Sequence, residues 1–319
     1  MKRRDFVGAL GSGLVGALTP GVRAGFPPIF RPMVRPYDRF IERWSWAMGQ
    51  PVHLQLFAES ESHGYDAAAA ALAELRRVEA HLTVFDTASD LSELNRQAGR
   101  PPMRYGTDLG SVIGSAVAIG RTTGGAFNCA VEPLMRAWGF RAPRSVEPSV
   151  AEIGEARDAV RSARIVVDGE RIAIPNSETR LDLGGIGVGY GLDRAASVLR
   201  GKGINCAFLD VSGDCLAIGA PPGQQGWLVE IAHPRGHGRI LASTQLRDAA
   251  LATSSNTASV IRYGRMLRGH VMDPDTGWPT DRLIQVSVVA RTGIEADALS
   301  TAMLVSGTPS EGMLRYYTI

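Results

Sequence analysis

Strand-like and helix-like runs follow one another in this chain without a strict strand-helix-strand repeat, and that irregular order constrains the fold most. "PVHLQLFAE" alternates as a strand, and Asp66 then heads an Ala-rich helix whose Leu72, Leu75, Val78 and Leu82 share one face. "TDLGSVIGSAVAIGRTTGGAF" reads as a second helix ending at Gly124-Gly125, and Ser149 with Glu152 forms a capping box for a third. "ARIVVDGERIAIP" reads as a hairpin turning at Asp168-Gly169. Beyond the glycines between 184 and 191 a short helix runs to Leu199, and strands are expected near "INCAFLDV", "GWLVEIA" and "LIQVSVVAR". The reading is an α+β fold with mixed or antiparallel sheets and packed helices, not a doubly wound sheet. With 319 residues and 45% hydrophobic content, the chain can bury a sizeable core.

The N-terminus reads as an address. Lys2-Arg3-Arg4-Asp5-Phe6 precedes the apolar, Gly-rich stretch Val7 to Leu18, and Val22-Arg23-Ala24 offers a small-x-Ala cleavage site. Paired arginines before a weakly hydrophobic segment resemble a twin-arginine signal, which carries folded proteins across a membrane. Val7 to Leu18 falls short of the ~20 apolar residues a span needs. Residues 1–24 are therefore expected to be an export signal, 25–40 a Pro-rich linker and 41–319 one domain in the periplasm. No Cys near the cut offers a lipid anchor, so the membrane enters only through the signal. Lys and Arg number 34 against 32 Asp and Glu, with no block of like charge, which argues against a nucleic-acid partner. Cys129, Cys206 and Cys215 form no C-x-x-C, so neither a disulfide framework nor a zinc site follows; they read as small buried side chains, with a Cys206 to Cys215 bridge left open.

Three stretches carry candidate chemistry. In "IEADALSTAM" the strand Leu283 to Arg291 turns at Thr292-Gly293 into a helix beginning near Asp297, with Thr301 one turn on. Asp is a favoured N-cap, and a Thr at that spacing can bond back to a carbonyl. The same i, i+4 geometry puts a carboxylate and a hydroxyl on one helix face, hard oxygens suited to magnesium. In "LDLGGIGVGYGLDRAASVL" the glycines at 184, 185, 187, 189 and 191 free the backbone to approach a ligand, and the helix that follows can turn its N–H groups to a pyrophosphate. Neither the Rossmann nor the Walker spacing is present, and a Gly-rich turn alone is more often structural. "RGHVMDPDTGWP" sets His270 in a turn, where an imidazole can serve as a general base or simply be solvated. H-E-x-x-H and G-x-S-x-G are both absent.

Together with "AMG" (47–49), "VFDTASDLSELN" (84–95), "GGAFNCAVEPLMRAWGF" (124–140), "LDVSGDCLAIG" (209–219), "ALATSS" (250–255), "HVMDPDTG" (270–277) and "ADALSTAM" (296–303), these segments resemble, in order, the ApbE-like family of FAD:protein FMN transferases. The resemblance spans about residue 45 to Gly307. It implies an ApbE-like, T-fold-related architecture with FAD in a cleft between subdomains. It also implies a Mg2+-dependent enzyme that splits FAD, its substrate, transfers the FMN phosphoryl half to a Ser or Thr of an acceptor flavoprotein subunit in a membrane electron-transfer system, and releases AMP. By motif, the Asp297 carboxylate, the Thr301 hydroxyl and the carbonyls of Gly185 and Ser300 would hold the ion. Met48, Phe85, Ala126, Phe127, Asn128, Asp182 and the main chain near Val188 would hold FAD, and His270 would activate the acceptor.

The chain departs from the family at Val188, where a Lys is usual, at Ser212 before Gly213-Asp214, where a Gly pair is common, and at Ser255, where a Gly is frequent. It also ends at "MLRYYTI", where an edge strand is expected to be missing. The alternatives are a Mg-dependent FAD pyrophosphatase yielding FMN and AMP, and an FAD-binding protein without transfer.

Overall fold

The computed structural model describes residues 23–24, 39–236 and 238–319. The expected signal and linker lie outside the described residues, save Arg23–Ala24 and the first residues of the strand that opens at Arg39. The elements run β1 (Arg23–Ala24), β2 (Arg39–Ala47), β3 (Gln50–Ala58), α1 (Glu61–Leu82), α2 (Asp90–Arg96), β4 (Met103–Arg104), α3 (Thr107–Thr122), α4 (Glu132–Ala137) and α5 (Val150–Arg161). They continue as β5 (Val166–Asp168), β6 (Arg171–Ala173), α6 (Gly187–Gly201), β7 (Ala207–Val211), β8 (Asp214–Ile218), β9 (Trp227–Ala232), β10 (Ile240–Leu246) and β11 (Ala249–Ser255). The last are β12 (Val260–Tyr263), β13 (Met266–Gly269), β14 (Gln285–Ala290), α7 (Gly293–Ser306) and β15 (Arg315–Thr318).

Seven strands form one sheet in the order β15, β14, β11, β8, β7, β3, β2, with every neighbouring pair antiparallel. Antiparallel pairs can be joined by short turns, so the sheet needs no helical crossover between each strand, and the α+β reading holds. One face packs on α1, α6 and α7 through Leu54, Leu56, Leu75, Leu192, Leu199 and Leu304. The other face takes Trp227, Val229 and Ile231 of β9 against Phe57, Phe208 and Leu251. β3 is consequently buried from Val52 to Ala58, and its alternation does not separate a wet side from a dry one. Its polar side chains are satisfied instead: Glu42 on β2 is hydrogen-bonded to His53 at 2.7 Å and accepts from Gln55 at 3.4 Å. A second core joins α3, the β5–β6 hairpin and Leu181, Leu183, Ile186 and Tyr190 ahead of and within α6.

The predicted capping box of Ser149 and Glu152, the hairpin at Gly169 and the glycine stop of α3 are all present. Two expectations change. Ser60 caps α1, its Oγ accepting from the His63 N–H at 3.3 Å, so the helix starts at Glu61 and not at Asp66. The edge expected to be missing is filled by β15, paired with β14. The Cys206 to Cys215 bridge left open is not formed: Cys129 and Cys215 are buried free thiols, and Cys206 donates to the Ala220 carbonyl. Among the described residues, no helix is long and apolar enough to cross a membrane.

Candidate active site

Asp297 is not a helix cap on its own helix. α7 begins at Gly293, where Thr292 is the N-cap and its hydroxyl accepts from the Glu295 N–H at 3.3 Å, so Asp297 lies in the second turn with 5% of its surface exposed. Its carboxylate reaches across to the glycine-rich helix and accepts the Gly189 N–H at 3.0 Å, and the Val188 N–H also bonds to it. α6 returns the contact: the Asp193 carboxylate accepts the N–H groups of Gly293 at 2.7 Å and Ile294 at 2.9 Å. Each helix thus receives an anion at its N-terminal end from the other, where the backbone dipoles favour negative charge. The two main chains meet at Gly189 and Gly293, and a Cβ on Gly189 would stand 2.1 Å from the Gly293 carbonyl oxygen. At Gly189 the glycine is therefore required by helix packing, not by a ligand.

This cap uses a buried charge that has no basic partner. Burial raises the Asp297 carboxyl well above the usual carboxylate range. Asp214 of β8 is raised too, by burial first and then by the charge of Asp297, while the Thr253 N–H bond at 2.9 Å opposes the shift. Among the described residues neither carboxylate forms an ion pair with Lys or Arg. Around them stand hydroxyls: Ser254 Oγ lies 2.7 Å from Ser300 Oγ and 3.0 Å from Thr301 Oγ1. Gly185 abuts Thr301, because a Cβ there would meet its Oγ1 at 2.9 Å. The described residues hold no cluster of three His, Cys, Asp or Glu side chains able to take a metal by themselves. The donor set fits magnesium all the same: that ion is commonly bound by one or two carboxylates and completed by water and substrate phosphates, and two uncompensated acids favour a cation.

The second group of predicted residues surrounds Asp182. Its carboxylate accepts Arg141 Nε at 2.6 Å and the Gly184 N–H at 2.8 Å, and its own N–H bonds the Cys129 carbonyl at 2.8 Å. The Arg141 guanidinium lies over the Phe85 ring, 4.9 Å from its centroid. His270 packs edge-on to Phe140 at 6.3 Å, and its Nδ1 is buried with no hydrogen-bond partner. Burial holds the imidazole below its usual range, the Ser259 carbonyl opposing and Arg141 adding to the shift. Met48 occupies the β2–β3 turn at φ 56°, a left-handed conformation that costs a non-glycine residue about 1–2 kcal/mol. Glu79 holds it there by accepting the N–H groups of Met48 at 2.9 Å and Gly49 at 3.0 Å. Met48 and Ala126 both touch the two main cores. Phe127 is core, 4% exposed, while Asn128 turns its Oδ1 to the Ala130 N–H at 2.9 Å.

The stretch from Leu181 to Gly189 runs from Asp182 to the Asp297 cap and joins the two groups. Sequence reasoning missed Arg141, Asp193, Asp214 and Ser254. Asp214 and Ser254 sit inside quoted segments, yet only the sheet register of β8 and β11 sets them beside α7. The expectation that the N–H groups of α6 face a pyrophosphate is altered: Val188 and Gly189 already donate to Asp297.

Residues 48–316 match the ApbE family model. An FAD:protein FMN transferase of Vibrio cholerae is 26% identical over 237 residues, covering 73% of this chain and 71% of its own length. One from Klebsiella pneumoniae is 25% identical, covering 82% of this chain and 80% of its own. In structure, the chain superposes on an ApbE protein of Thermotoga maritima with TM-score 0.77 and 27% identity, over 84% of this chain and 87% of that one. The flavin transferase ApbE of Vibrio cholerae, at 22% identity, shares the fold with TM-score 0.73 over 88% and 97%.

Proposed function

We propose, for a chain that belongs to the ApbE family through the match over residues 48–316, that it is an FAD:protein FMN transferase that uses magnesium, modifies a Ser or Thr hydroxyl of an acceptor flavoprotein and releases AMP. The transferase class follows the names of its relatives. The finer chemistry rests on one observation: buried Asp297 and half-buried Asp214 lie close together without a basic partner, beside the hydroxyls of Ser254, Ser300 and Thr301. Asp297, Thr301 and the carbonyls of Gly185 and Ser300 would hold the ion. When bound, it would offset charge on the pyrophosphate and on the departing AMP.

The chain's own groups do the rest. Met48, Phe85, Ala126, Asn128, Asp182 and the main chain at Phe127 bind FAD in this reading, and Val188 borders it while its N–H stays on Asp297. His270 takes the proton of the acceptor hydroxyl at Nε2, the ring nitrogen opposite buried Nδ1, as the hydroxyl oxygen bonds the FMN phosphorus and the phosphorus–oxygen bond to AMP breaks. An imidazole kept neutral by burial is competent for that step near pH 7. The setting we propose is the periplasm, reached through the signal at Lys2-Arg3-Arg4, with the acceptor in a membrane electron-transfer system.

Incubation of the purified chain with FAD, magnesium and a candidate acceptor tests this. Covalent flavin fluorescence on the acceptor supports transfer, whereas FMN and AMP formed equally without acceptor identify a pyrophosphatase, and intact bound FAD identifies a binding protein. Asp297→Asn keeps an oxygen for the Gly189 N–H and removes the charge, so it should fold and lose turnover. Full turnover in that variant would show that Asp297 is only a cap.

A further inference from the structure

The glycine-rich stretch from Leu181 to Gly191 contains no Lys or Arg. Its helix has few donors to spare. In the first turn of α6, Gly187 donates to the Leu183 carbonyl at 2.8 Å, Tyr190 to the Ile186 carbonyl at 3.1 Å, and Val188 and Gly189 to Asp297. A phosphate that approaches this first turn must find its hydrogen bonds elsewhere.

Arg141 is placed to provide them. It arrives from the turn after α4, and its side chain is largely buried, 15% exposed. Asp182 binds it through Nε at 2.6 Å and also through Nη2, and Nη1 donates to the Phe140 carbonyl at 3.3 Å. Phe85 covers one face of the guanidinium, and Nη2 lies 3.8 Å from the point where a Cβ on Gly184 would stand. A guanidinium carries five N–H donors. Three are used, which leaves one on each Nη nitrogen, beside the start of the glycine loop. Two such donors on neighbouring nitrogens form the planar fork that matches a phosphate. Asp182 and Phe85 fix the plane of that fork before any ligand arrives, so little side-chain freedom is lost on binding.

We propose that Arg141 is a phosphate-binding residue of this site, donating its two remaining N–H groups to a pyrophosphate oxygen of the dinucleotide, with Asp182 and Phe85 as positioning residues for it. The inference rests on the transferase reading above and adds a contact that the sequence motifs do not contain. Asp182 then serves to orient a cation and does not meet the negatively charged phosphates itself.

The test compares flavins that differ in phosphate. The full chain, Arg141→Gln and Arg141→Lys are titrated with FAD, FMN and riboflavin by flavin fluorescence, with and without magnesium, after thermal melts establish folding. Arg141→Gln should weaken FAD and FMN by about 10- to 100-fold, the size of a hydrogen bond to a charged group, and leave riboflavin within about 2-fold. Arg141→Lys keeps the charge beside Asp182 but not the fork, and should weaken FAD by a smaller factor with the same selectivity. Equal loss for all three flavins would make Arg141 a scaffold for Phe85 and Asp182 and overturn the proposal, as would unchanged FAD affinity in either variant. If Arg141→Gln does not fold, Arg141→Lys carries the comparison alone. Failure of the unmodified chain to bind FAD would sink the transferase reading itself, a result separate from any change in selectivity.

Discussion

Gly189 and Gly187 lie two residues apart in one helix turn and should respond to the same substitution in opposite ways. A Cβ on Gly189 would lie 2.1 Å from the Gly293 carbonyl oxygen and 2.5 Å from its carbon, and both obstacles are main chain. Relief requires α6 and α7 to separate by about 1 Å, because carbon and oxygen need more than 3 Å between them. Overpacking of this kind costs about 1–3 kcal/mol or more. Separation also stretches the bonds from Gly189 N–H to Asp297 and from Gly293 N–H to Asp193, and hydrogen bonds to charged groups contribute about 1.5–3 kcal/mol each. Gly189→Ala should therefore lose about 3–5 kcal/mol, a large part of the usual stability of a domain. At Gly187 a Cβ would meet nothing within 4 Å, and φ is not in the left-handed region, so Gly187→Ala should gain up to about 1 kcal/mol from reduced chain entropy. Urea unfolding followed by circular dichroism gives both numbers by linear extrapolation. A Gly189→Ala protein within about 1 kcal/mol of the unsubstituted chain would refute the requirement for close helix approach. Flavin titration of the same pair adds a second readout: if the open space at Gly187 receives the nucleotide, Gly187→Ala will be more stable and bind FAD more weakly.

Asp210, on β7, has its carboxyl pushed up to about 6 by burial, against the opposing pull of the Gly213 N–H at 2.7 Å. The folded chain then holds a proton that the unfolded chain has released between about pH 4 and 6, so this group's contribution to stability falls as pH rises through that window. Asp210→Asn keeps an acceptor for Gly213 and should gain about 1–2 kcal/mol at pH 8 and flatten the profile; an unchanged slope in melts from pH 4.5 to 8 would contradict it. For His270 the sign is reversed. Its folded value is depressed, so stability is lost as pH falls through the unfolded value near 6.5, and His270→Gln should remove that acid-side loss. The same variant should slow single-turnover transfer by about 100-fold or more while FAD affinity changes by less than about 3-fold; transfer at the original rate would assign the base to another group.

What the sequence made legible was local, and what it hid was set by residues far apart in the chain. The Leu72, Leu75, Val78 and Leu82 stripe and the Ser149 capping box depend on neighbours within a turn or two, and both are present. The expected start at Asp66 leaves Gly64 outside α1, whereas Gly64 is helical and a Cβ at that position would stand 2.5 Å from Ile41 Cγ1. The glycine is there so that α1 can lie close on β2, a need that appears only once the two elements are packed. Asp297 is the sharper case. Its spacing to Thr301 is readable, but its partner Gly189 stands 108 residues earlier, and the returning bond from Gly293 to Asp193 spans 100 residues. An acid in this position gives α6 the anion its N-terminus needs, and in the proposed magnesium site it would also supply a hard oxygen next to Thr301. Asp297 already takes the N–H groups of Val188 and Gly189 in the first turn of α6. The proposed phosphate contact therefore falls to a side chain outside the motif, and Arg141, separated from Asp182 by 41 residues, had no local signal to announce it.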